Sequence, residues 1–128
     1  MSPVLPPAVK SCTHYHFDGS RRAIGLDQVP AILAGRDGFV WIGLYEPDAA
    51  ILEHIATIFG LHPLAIEDAA KAHQRPKVEA FGDTLFVVVH TTQEVQEKLR
   101  YGETHMFLGE RFFITIRHAA SLSYEPVR

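Results

Sequence analysis

Glu67 and Asp68 are adjacent carboxylates on a stretch that reads as a short helix, His62 to about Ala70. Successive helical residues stand about 100° apart around the axis, so the pair splays and cannot clasp one ion alone. Each carboxylate can still offer an oxygen at a surface. Magnesium takes one or two carboxylates and keeps several waters, so a site shared between two protein surfaces would suit it. By spacing alone, solvated helix charges are the commoner meaning of such a pair. Eight histidines raise zinc, and His14 and His16 project from one face of a strand. With no third ligand at a familiar spacing, no paired cysteines and no His-Glu-x-x-His run, ordinary surface histidines are favoured. Nucleophilic catalysis has little to work with. There is no Gly-x-Ser-x-Gly elbow, and Cys12 reads as a small buried hydrophobe beside no base. Gly35 and Gly38 fit neither phosphate-cradling pattern and read as turn residues. The expectation is a protein that is not an enzyme.

Composition narrows the class further. The 128 residues suit one domain, and 47% hydrophobic with 21% charged side chains is ordinary globular usage. Net charge is −3, and no basic run exceeds Arg21-Arg22, so nucleic acid is not an expected partner. A single cysteine cannot close an internal disulfide and suits a reducing compartment. The longest apolar stretch, Phe39 to Tyr45, falls well short of the roughly 20 residues of a membrane span. Met1 to Val9 holds three prolines and lacks the layout of a signal peptide. Residues 1–10 are expected to be a flexible arm, with one domain over 11–128.

The elements that must position these residues follow from periodicity. Ser11 to Phe17 alternates, and Asp18-Gly19-Ser20 supplies turn chemistry before Ala23 to Leu26, which predicts a hairpin. Asp27 is positioned to cap a helix from Gln28 through Ala34, broken by Gly35 to Gly38. Phe39 to Tyr45, apolar at both alternating phases, reads as a central strand covered on each side. Ile51, Leu52, Ile55, Ile58 and Phe59 fall at helical spacing, with Gly60 as C-cap. Pro63 opens the helix that carries Glu67 and Asp68, whose apolar side is Leu64, Ala65 and Ala69. Arg75-Pro76 ends it. Val78 to Phe81, Thr84 to Thr92, Leu99 to Leu108 and Arg111 to Arg117 predict a meander with turns at Gly82-Asp83 and Gly109-Glu110. Together they predict an α/β (α+β) fold, a layered mixed sheet with short helices packed on one face.

One resemblance ties these pieces together. His62-Pro63-Leu64, then Glu67-Asp68, then His73-Gln74-Arg75-Pro76-Lys77-Val78-Glu79 resemble the signature of the CorA family of magnesium and cobalt channels. Trp41-Ile42-Gly43-Leu44 with Pro47, Phe112-Phe113-Ile114-Thr115 and the closing Glu125-Pro126-Val127-Arg128 are similar to the same family. The likeness spans roughly residues 39–128 and is loose before that.

The resemblance implies a regulatory, ion-sensing domain at the cytoplasmic face of the cell membrane. Five copies would form a funnel above membrane helices that follow this stretch, near a Gly-Met-Asn filter. Met1 and Met106 belong to no such tripeptide, so the expectation is a domain truncated before the stalk, with one sheet face short of its cover. The family's regulatory Mg2+ maps onto Glu67 and Asp68, facing acidic residues of a neighbouring protomer beyond residue 128. By itself the fragment is expected to be a monomer or weak dimer. The intact His-Gln-Arg-Pro-Lys run favours magnesium or cobalt over zinc, which a ZntB-like branch would carry. The alternatives are that zinc-transporting relative and a free-standing ligand-binding domain.

Overall fold

Asp18, Gly19 and Ser20 fold the chain back on itself as their types require. In the computed structural model, which describes residues 5–71 and 74–121, strand β1 (Val9–His16) turns into β2 (Arg21–Ala23). Asp18 Oδ1 accepts from the Ser20 amide at 2.8 Å and from the Ser20 hydroxyl at 2.6 Å. β1 begins at Val9, ahead of the expected Ser11, because Val9 is buried and the Ala8 carbonyl accepts from the Tyr45 amide at 2.9 Å.

The next helix, α1 (Val29–Gly35), follows a 3-10 turn at Leu26–Gln28. The cap expected of Asp27 is corrected: Asp27 lies inside that turn, and Gln28 Oε1 accepts from the Gly25 amide at 2.8 Å instead. α1 ends at Arg36, held at φ 58°, a left-handed posture that costs a non-glycine residue roughly 1–2 kcal/mol. Strand β3 (Gly38–Tyr45) then runs beside β1, and at Gly38 the two backbones touch so closely that a Cβ would lie 1.9 Å from the Tyr15 carbonyl oxygen. Any side chain there would push β1 and β3 apart.

Helix α2 (Ala49–Phe59) is capped by Asp48, whose Oδ1 accepts from the Ile51 amide at 2.9 Å, and it ends at Gly60 with φ 65°. Helix α3 (Pro63–Ala69) starts at His62, whose Nδ1 accepts from the Leu64 amide at 3.0 Å. Its expected apolar side is corrected at one position: Ala65 and Ala69 are buried but Leu64 points outward, 59% exposed. Strands β4 (Lys77–Phe81), β5 (Thr84–Val95), β6 (Lys98–Leu108) and β7 (Phe112–Ser121) complete a meander.

All seven strands join one mixed sheet in the order β2-β1-β3-β7-β6-β5-β4. Every pairing is antiparallel except β3 with β7, which sets Val40, Ile42 and Leu44 beside Phe112, Ile114 and Ile116. The side chains of that row, continued through Phe107 and Phe86, face the helices and form the core with Leu52, Ile55, Ala65 and Ala69. The opposite face carries no helix among the described residues. That corrects the expectation for β3: its second phase, Phe39, Trp41 and Tyr45, is partly exposed. Aromatic partners shelter it in place of a layer. Tyr15 stacks on Phe39 at 5.0 Å, Arg117 lies over the Tyr45 ring, and Trp41 Nε1 donates to Thr115 Oγ1 at 3.3 Å.

Candidate functional site

Glu67 and Asp68 both lie on the last turns of α3, and each has a lysine. Lys71 Nζ stands 3.4 Å from Glu67 Oε1, one helical turn on, in an exposed pair worth about 0.3–0.5 kcal/mol. Lys77, from the following strand, reaches Asp68 Oδ2 at 3.0 Å and Glu79 Oε1 at 2.6 Å. The hydrogen bonds to Glu79 and then Asp68 raise the Lys77 pKa and keep the ammonium charged. One lysine therefore bridges two carboxylates, and Glu79 joins the pair singled out from sequence.

The end of α3 is fastened by the segment that follows. Gln74 Nε2 donates to the carbonyl oxygens of Asp68 and Lys71, the latter at 2.8 Å. His118 Nε2 bonds the Ala69 carbonyl at 3.0 Å. These carbonyls lie at and just past the end of α3, where the intrahelical ladder runs out, and that of Asp68 also takes the Lys71 amide at 3.1 Å. The Gln74 amide in turn donates to Glu103 Oε1 at 2.9 Å, and Glu103 also bonds His105 Nε2. Of the quoted signature, Gln74 and Lys77 thus hold the acidic corner in place, while His73 and the closing residues 125–128 lie outside the described residues.

Glu103 and His105 escaped notice as a functional pair, although a signal was present. Alternation along β6 puts 103 and 105 in phase with the buried Phe107, so two ionisable side chains point into the core. Burial lowers the His105 pKa, more than its bond to Glu103 raises it. Burial also pushes the Glu103 carboxyl upward, but the His105 bond and the Gln74 amide outweigh that and hold it below the usual carboxylate value.

At the far side of the sheet, His14 and His16 do share a face of β1, with ring centroids 3.9 Å apart. They are not ordinary surface histidines. His14 is 2% exposed, because β1 is flanked by β2 and β3. Asp37, from the turn after α1, places Oδ1 3.4 Å from His14 Nε2 and Oδ2 3.5 Å from His16 Nδ1. Burial lowers the His14 pKa, the neighbouring His16 and Arg22 lower it further, and Asp37 opposes them. Nothing in the spacing of 14, 16 and 37 announces this meeting. Cys12 is buried as expected, and desolvation pushes its thiol up to about 11, which leaves it inert.

A family model described as CorA-like Mg2+ transporter protein matches residues 36–127. The chain belongs to the CorA-like Mg2+ transporter family. It is 35% identical over 75 residues to the putative metal ion transporter YfjQ of Bacillus subtilis, covering 59% of this chain and 23% of that one. It is 29% identical over 107 residues to the cobalt/magnesium transport protein CorA of Thermotoga maritima, covering 78% and 30%. The chain thus spans less than a third of the length of these relatives. The complete CorA magnesium transporter of Methanocaldococcus jannaschii shares the fold with a TM-score of 0.63 at 13% identity, over 94% of this chain and 34% of that one. The soluble domain of the same CorA matches with a TM-score of 0.54 at 17% identity, over 69% and 34%. The α/β class with a mixed sheet and short helices is the fold of that domain. No helix among the described residues is long and apolar enough to cross a membrane.

Proposed function

We propose that this CorA-family domain senses a divalent cation and regulates transport through membrane helices belonging to the same protein. Glu67 and Asp68 supply one half of a Mg2+ site, and acidic side chains of a neighbouring protomer supply the other. The observation that carries the reading is the acidic corner itself: two carboxylates on a helix end fastened by Gln74, within a match to the family over residues 36–127. Because Lys71 and Lys77 already neutralise this corner, a lone protomer holds Mg2+ weakly, and a second set of carboxylates makes the site. The domain then sits at the cytoplasmic face of the membrane within a homopentamer, and cobalt or zinc can compete for the same oxygens. It performs no catalysis in this reading, which the transporter names of its relatives support.

Weak sites are sufficient for the task. Moving an equilibrium from 1:99 to 99:1 takes about 5.5 kcal/mol, so five interfaces need supply only about 1 kcal/mol each. Bound Mg2+ favours the closed arrangement, and its loss lets like carboxylates repel and the funnel loosen. The test is transport by the full-length protein carrying Glu67→Ala with Asp68→Ala. Inhibition by internal Mg2+ is expected to weaken, and inhibition unchanged from wild type would remove these two residues from the site.

A further inference from the structure

The corner formed by His14, His16 and Asp37 has the donors of a transition-metal site rather than a magnesium site. Two imidazoles and one carboxylate are borderline ligands that suit zinc and its neighbours, whereas Mg2+ and Ca2+ prefer oxygen alone. Their separations fit as well. Bonds of about 2.0–2.2 Å to a tetrahedral zinc place its ligand atoms roughly 3.4 Å apart. Asp37 turns one carboxylate oxygen to each ring, Oδ1 at 3.4 Å from His14 Nε2 and Oδ2 at 3.5 Å from His16 Nδ1, and with one ligand atom taken from each residue the three lie within 4.8 Å of one another.

The second, independent observation is His14 itself. Its ring is 2% exposed, and neither nitrogen has a hydrogen-bond partner among the described residues. A buried polar group left without a partner carries the penalty of its lost hydration. A cation shared with His16 and Asp37 would satisfy Nε2, and the half-buried and exposed positions of those two residues leave the site open to solvent on its outer side. Arg22, opposite His14 in the β1–β2 hairpin, works against a dication, but its side chain is exposed and free to lean outward. His16 and Asp37 also sit on rigid supports, the end of β1 and the turn whose Arg36 is pinned in the left-handed region.

We infer that His14 Nε2, His16 Nδ1 and Asp37 form a three-ligand site for Zn2+ or a similar transition-metal ion, with an open position for water or a further donor. This site is separate from Glu67 and Asp68 and does not rest on the reading of that corner. It lies at the hairpin end of the sheet, so a metal there would tie β1 to the turn before β3.

Titration of the metal-free chain with Zn2+ against a competing chromophoric chelator tests it, with Co2+ absorption in the visible as a second readout of coordination. One equivalent of Zn2+ is expected, with affinity reduced at least about tenfold in Asp37→Asn and in His16→Gln. Both residues reach solvent, so these variants keep the fold even if His14→Gln does not. Excess Mg2+ should not displace the zinc, and Glu67→Ala with Asp68→Ala should leave its stoichiometry unchanged. Absence of a bound equivalent, or wild-type Zn2+ affinity in both single variants, would overturn the assignment.

Discussion

The acidic corner and the histidine corner are built on opposite plans. At the first, Glu67, Asp68 and Glu79 already have lysine ammonium groups within 3.4 Å, and the helix end beneath them is fixed by Gln74, Glu103 and His105. At the second, a buried imidazole faces one exposed carboxylate across 3.4 Å and makes no hydrogen bond among the described residues. An ion at the acidic corner must compete with cations that the fold itself provides. An ion at the histidine corner meets donors that the fold has gathered, one of them a buried imidazole without a hydrogen bond among the described residues. The first arrangement suits weak, reversible occupancy completed by another protomer. The second suits a single chain.

Removing the backing of the acidic corner should have the largest effect. Glu103→Ala strands the neutral His105 ring and the Gln74 backbone amide, and is expected to destabilise the fold by about 2–3 kcal/mol in urea denaturation. A loss below about 1 kcal/mol would mean that the network does not hold α3.

Acid should act on the same network. Both His105 and Glu103 have folded pKa values below their ordinary ones. A group lowered in this way contributes stability that is fully present above its unfolded pKa and is lost as pH falls through the folded one. The urea midpoint is therefore expected to fall below pH 6.5 as His105 is forced to protonate, and again below 4.5 as Glu103 does. His105→Gln should flatten the first step. His14, lowered for its own reasons, leaves a residual slope. A midpoint independent of pH between 7 and 5 would contradict the assignment of His105 as a neutral buried group.

Smaller changes sharpen the contrast. Gln74→Ala removes two bonds to helix-end carbonyls and should cost about 1–2 kcal/mol by the same denaturation assay. Lys77→Met should cost at most about 1 kcal/mol yet raise Mg2+ affinity several-fold in calorimetry, since Asp68 and Glu79 lose their shared cation. Unchanged affinity would mean that Lys77 does not compete with the ion. Asp37→Ala should change stability in metal-free buffer by no more than about 0.5 kcal/mol, because its side chain is exposed.

Much of this was legible along the chain because local chemistry agreed with the tertiary result. Asp18-Gly19-Ser20, Gly60 and Pro63 announced their turn, cap and helix start by residue type. The β5–β6 turn did not, since Gln96 and Glu97 both adopt positive φ, at 53° and 64°, without glycine or asparagine to mark them. The hairpin accordingly extends to Val95 and Lys98, beyond the expected Thr92 and Leu99. At the acidic corner the carboxylates were visible, and Lys71 stands at the i,i+4 spacing from Glu67, but the role of Lys77 was not, because it reaches Asp68 only after the chain has left α3 and entered β4. At the histidine corner two members were visible as an alternating pair. The third became one only through the close β1–β3 approach at Gly38, a contact that no periodicity encodes.

The parallel seam between β3 and β7 has a consequence for how the domain is made. Trp41 and Thr115, which bond across it, stand 74 positions apart in the chain. During synthesis β3 must wait beside a vacant edge until nearly the whole stretch has emerged from the ribosome, and only then can the hydrophobic interior close. Pairings so distant carry a large loop-closure cost, so the seam should be among the last parts to assemble and should set the pace of folding.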